Sequence, residues 1–136
     1  MASPLPKHPQ LRGNYAPINF EANCQDLVIE GAVPEGLAGS LYRIGPNPKF
    51  VPDQGYHWFF GTGMVHAFHV HEGKIDYVNR WVRPPKFEAE LAAGTSLPMS
   101  IVVDPDTGQL QSERRNGLAN THIIWHADQL LALEEG

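Results

Sequence analysis

The chain reads as a mainly β protein built from short strands and tight turns. Twelve prolines and thirteen glycines over 136 residues punctuate it every few positions and leave little room for long helices. Met64 to His71 and Lys74 to Val82 both alternate between two faces, and only Glu72 and Gly73 separate them. Other β-prone runs recur between turn signals roughly every eight to twelve residues, which is the spacing of a sandwich, a barrel or a propeller. Periodicity does not choose among the three.

Met1 to Pro17 carries four prolines and no hydrophobic period, so residues 1–26 are expected to form an extended arm lying over a body at 27–136. Leu27 to Val33 and Ser40 to Ile44 are β-prone, with Pro34, Gly36 and Gly39 supplying the turn between them. Gly45, Pro46, Asn47 and Pro48 then form a rigid corner expected to stop the ladder. The clearest hairpin follows. It places His66, Phe68 and Val70 on one face of its first strand, and Val65, Ala67, His69 and His71 on the other. Its return strand puts Ile75, Tyr77, Asn79 and Trp81 on one side. Pro85 to Ala93, closed by Gly94, is the single helix the pattern allows. Asp104 to Gly108 reads as a turn between two β-prone runs. Thr121 to Trp125 and Gln129 to Leu133 read as a second hairpin around His126, Ala127 and Asp128. The two hairpins can be equivalent parts of successive propeller units; at roughly 40 to 50 residues per unit the chain holds about three at most.

Composition removes several function classes. The net charge of −5 is scattered, without a basic stripe, which argues against nucleic acid as a partner. One cysteine, Cys24, cannot form an internal disulfide and reads as structural or incidental. The first residues lack the apolar core of a secretory signal and no run has membrane-span length, so a cytoplasmic location is expected. Gly61 and Gly63 have no helix after them to receive a phosphate, and no serine sits in a nucleophile elbow. Those glycines instead suggest tight backbone passage, with Trp58, Phe59, Phe60 and Met64 packed around it as core.

Four of the seven histidines, His57, His66, His69 and His71, fall within one stretch. His69 and His71 share a strand face, a spacing that can set two imidazoles on one metal with His57 or Glu72 as a third ligand. The simpler reading, two polar residues facing water beside a turn, is favoured. His66, beside Phe68 and Val70, is expected to be a buried histidine satisfied by backbone hydrogen bonds, and His126 likewise.

Taken together, GNYAPINFE (13–21), GAVPEGLAGSLYRIGPNP (31–48), HWFFGTGMVHAF (57–68), NRWVRPPKFEAELAAG (79–94) and LANTHIIWHADQLLALEEG (118–136) resemble, in order and spacing, the N-terminal part of a carotenoid cleavage oxygenase. The resemblance implies the first two to three blades of a seven-bladed β-propeller. It implies a ferrous iron held by four histidines, three of them oriented by glutamates, and oxidative cleavage of a conjugated double bond of a carotenoid, apocarotenoid or stilbene to two carbonyl products. It also implies an apolar substrate, dioxygen and peripheral membrane contact as partners. His57, His66 and His126 match recurring family positions that are not iron ligands, and the ligands are expected beyond Gly136. No catalytic, cofactor-binding or metal residue is therefore assigned within the chain, which alone is expected to be inactive. Phe60 and Thr62 stand where the family usually carries aspartates, Ile44 where it carries asparagine and Pro84 where it carries threonine, so the loop is expected to lose hydrogen bonds. The alternative is a small non-catalytic β module that binds a ligand or a protein.

Overall fold

A computed structural model describes residues 8–52, 55–97, 101–103, 107, 110–112 and 117–135. Its centre is a four-stranded antiparallel sheet of β1 (Ala22–Cys24), β2 (Gly39–Pro46), β3 (Gly63–His71) and β4 (Lys74–Trp81), in the order β1-β4-β3-β2. Glu72 and Gly73 join β3 to β4 with φ of 49° and 74°, the two positive values that a tight turn matching strand twist requires. The register sets Met64 opposite Trp81, His66 opposite Asn79 and Phe68 opposite Tyr77, so the expected faces are the observed ones. Helix α1 (Pro85–Ala93) ends at Gly94, whose φ of 68° accommodates the left-handed cap. Its first turn is less well served. Pro84 is the N-cap residue and, having no side-chain acceptor, offers the turn no capping bond.

Met64, Trp81 and Phe87 form the core cluster, with Ile18 packed against it, so the arm contributes to the interior. The arm makes single 3-10 turns at Pro9–Leu11 and Gly13–Tyr15. Two buried asparagines then bind it by imitating a neighbouring strand. The Asn47 side chain accepts from Ile18 N at 2.7 Å and donates to Ile18 O at 2.8 Å. Asn79 accepts from Ala22 N at 2.5 Å and donates to Phe20 O at 3.0 Å. Glu21 accepts from the main-chain N–H of Trp81 at 2.9 Å and pairs with Arg83 at 3.3 Å.

Beyond α1, β5 (Ile101–Val103) pairs antiparallel with β6 (Leu110–Ser112). Of the turn expected at Asp104 to Gly108, all but Thr107 lies outside the described residues. The second hairpin, β7 (His122–His126) and β8 (Gln129–Leu133), turns through Ala127 and Asp128 at φ of 47° and 59°.

Three local expectations are corrected. Leu27 to Val33 is not a strand: Asp26 at φ 54° and Gly31 at φ 100° break its extension, and Val28 is 96% exposed. The short β1 takes the position beside β4 instead. The β2 ladder does not stop at Ile44 but continues with Gly45 opposite Met64 and Pro46 opposite Gly63, because β2 is an edge strand, where a proline is tolerated. His126 is not interior; it pairs with Gln129 as the last rung before a two-residue turn and is exposed.

Candidate functional site

The densest chemistry gathers where the end of β2, the Trp58–Phe60 3-10 turn and the segment entering β7 meet. His57 caps the turn, its Nδ1 accepting from Phe59 N at 3.3 Å, and Phe60 N and Gly61 N close it on His57 O and Trp58 O at 2.8 and 3.1 Å. The glycines after it are required by contact. A Cβ on Gly61 would lie 2.8 Å from the Tyr56 hydroxyl and 2.9 Å from Pro46 Cβ, and one on Gly63 would lie 1.9 Å from Ala119 O. Gly63 N donates to Leu118 O at 2.7 Å, and the Asn120 amide donates to Phe59 O and Gly61 O, each at 2.7 Å. The Glu134 carboxylate accepts from Leu118 N and Ala119 N, fixing the segment that carries Asn120. Asn47 N donates to Thr62 O at 2.8 Å, so main-chain groups and Asn120 pin the loop that its sequence departures were expected to loosen.

These contacts enclose a cleft of about 460 Å³ with Trp58, Phe59 and Phe60 on one side, Ile44 and Leu118 beside them, and Glu134 and Glu135 at the rim. The expectation that the aromatic run is core is corrected. Met64 is fully buried, but Trp58, Phe59 and Phe60 are 37%, 59% and 42% exposed. A 3-10 turn spreads consecutive side chains around its axis, and the side-chain-free Gly61 and Gly63 occupy the interior in their place.

A second, more open cleft of about 780 Å³ lies between the arm and the β3–β4 face that carries His66, Phe68 and Tyr77. His66 Nδ1 and the Tyr77 hydroxyl are 2.8 Å apart. Burial, reinforced by the positive charge of Arg43, lowers the His66 pKa below its usual 6.5. Burial raises the Tyr77 phenol, and pushes that of Tyr56 up to about 12. His66 is thus half-buried rather than buried as expected, and its partner is a side chain rather than the backbone.

The histidine group on the opposite face does not assemble. His69 Nδ1 meets Ser40 Oγ at 2.7 Å, His71 Nε2 meets Asp76 Oδ2 at 3.0 Å, and His57 is occupied in its own turn. Asp76 also accepts from Asp26 N at 2.8 Å, and this bond, followed by the one to His71, lowers its pKa. Glu72 sits in the exposed β3–β4 turn. Among the described residues no three His, Cys, Asp or Glu side chains converge as metal ligands, so these residues do not fit an iron centre by themselves. Sequence reasoning missed Gln10, Asn47, Asn79, Asn120 and Glu134. A signal existed for one of them: Asn79 is the lone polar residue on the Ile75, Tyr77, Trp81 face.

A β-sheet of four antiparallel strands with a further hairpin packed beside its β2 edge corresponds to successive sectors of a β-propeller. Residues 15–136 match the family described as RPE65, retinal pigment epithelial membrane protein, and the chain belongs to this family, that of the carotenoid cleavage oxygenases. It is 37% identical over 150 residues to carotenoid 9,10(9',10')-cleavage dioxygenase 1 of Pisum sativum, covering 98% of this chain and 28% of that protein. It is 42% identical over 129 residues to isoeugenol monooxygenase of Pseudomonas putida, covering 93% and 27%. The crystal structure of Pseudomonas brassicacearum lignostilbene dioxygenase superposes with a TM-score of 0.82 at 34% identity, covering 98% of this chain and 28% of that one. The chain therefore spans little more than a quarter of the length of the relatives it matches.

Proposed function

We propose that this chain forms the first sectors and one aromatic wall of the substrate cavity of a non-heme iron oxygenase. The reaction is oxidative cleavage of a conjugated carbon–carbon double bond into two carbonyl products. The observation that carries this reading is the cleft at Trp58–Phe60: three consecutive rings held open to solvent by a loop with two obligatory glycines. Flat conjugated molecules gain both apolar burial and ring stacking on such a wall. The names of the relatives, acting on carotenoids and isoeugenol and, in the solved structure, lignostilbene, support a polyene or phenylpropenoid-type substrate. The described residues form no metal-ligand cluster, and their part in this reading is to bind and orient the substrate and exclude water from it. Contact with a membrane surface, from which so apolar a substrate would be drawn, is part of the same reading.

The test is activity of a longer product that carries this chain, supplied with ¹⁸O₂ and either isoeugenol, a hydroxylated stilbene or an apocarotenoid. Labelled carbonyl products detected by mass spectrometry are the expected result. Absence of cleavage of all three by an iron-loaded protein overturns the reading. Replacing Phe59 by Ala should raise KM for the accepted substrate by about tenfold, the loss of one partly buried ring contact.

A further inference from the structure

The aromatic wall is not positioned by its own neighbours alone. The main-chain N–H of Trp58 heads the turn, where a helical start leaves donors unpaired, and its partner lies 48 residues earlier: Gln10 Oε1 accepts it at 2.8 Å. The Tyr15 ring meets Trp58 edge-on at 5.6 Å and 80°, and His8 meets Tyr56 at 6.1 Å. Leu11, between these contacts, is 2% exposed and anchors this part of the arm. From the other side Asn120 holds the carbonyls of Phe59 and Gly61. The turn is thus gripped twice. The Asn120 grip is doubly bonded and reaches Phe59 and beyond; the arm's grip is a single amide and one ring edge, and it reaches Trp58 only.

We propose that Gln10 and Tyr15 are positioning residues through which the N-terminal arm sets the Trp58 end of the cleft and so selects among conjugated ligands by length. The inference rests on the cleft reading above. Neither residue needs to touch the ligand; Gln10 acts through the Trp58 N–H and Tyr15 through its ring. Releasing the arm's grip leaves the carbonyls of Phe59 and Gly61 tied to Asn120, while the Trp58 ring loses Tyr15 and keeps only its contact with Phe59 to fix its orientation. A two-ring ligand that reaches Trp58 loses contact, and a one-ring ligand resting on Phe59 and Phe60 does not.

The experiment is calorimetric titration of a longer product that carries this chain, kept free of iron, with trans-4-hydroxystilbene and with isoeugenol, alongside near-UV circular dichroism. Gln10→Ala is expected to weaken stilbene binding about two- to tenfold, the worth of one net hydrogen bond, and to change isoeugenol binding by less than about twofold. Gln10→Glu, whose carboxylate accepts the same N–H, should restore stilbene affinity. Lys49→Ala, which frees the arm at Asn19 O instead, should leave both affinities unchanged. The near-UV spectrum of Gln10→Ala should change while its melting temperature stays in place. Equal weakening of both ligands, or the same loss in Lys49→Ala, would show that the arm merely stabilises the fold and would overturn the inference. So would unchanged affinities and spectrum in Gln10→Ala with a binding-competent wild type. A wild-type form of that longer product that binds neither ligand overturns the cleft reading first and this inference with it.

Discussion

Gly63→Ala is the sharpest perturbation of the cleft, because the added carbon has a backbone atom in its way. The new Cβ would lie 1.9 Å from the carbonyl oxygen of Ala119, against the 3.0 Å below which such contacts essentially never occur, so the segment entering β7 must retreat by more than an ångström. That movement pulls on the 2.7 Å bond from Gly63 N to Leu118 O and on both 2.7 Å bonds from the Asn120 amide. Overpacking costs about 1–3 kcal/mol, and each hydrogen bond lost or stretched adds about 0.5–1.5 kcal/mol. The expected destabilisation is about 4 kcal/mol, large enough to remove much of the stability of a small domain. Urea unfolding followed by tryptophan fluorescence measures it, with Gly73→Ala as control. Gly73 has φ of 74° but nothing within 4 Å of the added carbon, so only backbone strain of about 1 kcal/mol applies. A Gly63→Ala midpoint within error of Gly73→Ala would refute the claim that close passage, rather than flexibility, requires this glycine.

Asn79→Ala leaves the Ala22 N–H and the Phe20 carbonyl without their partner and empties a fully buried site, so a loss of about 3 kcal/mol is expected in the same urea assay. His66 has a folded-state pKa lowered by burial and by Arg43, so the unfolded chain takes up the proton first. The stability this group contributes is complete above the unfolded value of about 6.5 and is lost as pH falls from there towards the folded value. Melting temperatures at pH 7.5 and 5.5 should therefore differ more in the wild type than in His66→Gln. Lys86 and Glu90 form an ion pair at 6% and 4% exposure, and Glu90 also accepts from Leu97 N at 3.0 Å. Lys86→Met should cost about 3–5 kcal/mol by stranding the carboxylate, and Lys86→Met with Glu90→Gln should recover part of that loss on thermal denaturation. Pro84→Thr supplies the missing cap of α1 and should stabilise by about 0.5–1 kcal/mol, seen as a higher urea midpoint.

The elements that local chemistry determines were legible. The β3–β4 hairpin and α1 carry their own turn and cap residues, and the structure reproduces the hairpin's faces and the helix's residues. Where the determinants are distant, the residues were silent. Leu27 to Val33 has strand composition, yet the place beside β4 goes to Ala22–Cys24, because Asn79, more than fifty residues away in sequence, offers its amide to Ala22 and Phe20 rather than to Leu27 or Val28. The aromatic run shows the same limit from the opposite side. Composition alone favours burying Trp58, Phe59 and Phe60, and only the contact between Gly63 and Ala119 shows that the interior position is filled by main chain.

The wall of the cleft is thus a product of three separated segments: Gln10 and Tyr15 before it, the Gly61 and Gly63 loop beneath it, and Asn120 fixed through Glu134 after it. Gln10 and Asn120 are neither acids nor bases, so a search for catalytic residue types passes over them. Their common action is to satisfy main-chain N–H and C=O groups that a turn leaves unpaired, which lets three large rings remain open to solvent without the loop collapsing over them. An aromatic surface maintained in this way has a specific vulnerability: replacements that conserve hydrophobicity but remove a bonding partner should close the cleft while the sheet persists. Asn120→Leu is the direct case. It withdraws both bonds to Phe59 O and Gly61 O, so stilbene binding should be lost while the far-UV spectrum of the sheet is retained; a variant that keeps wild-type affinity would mean that the turn holds its shape unaided.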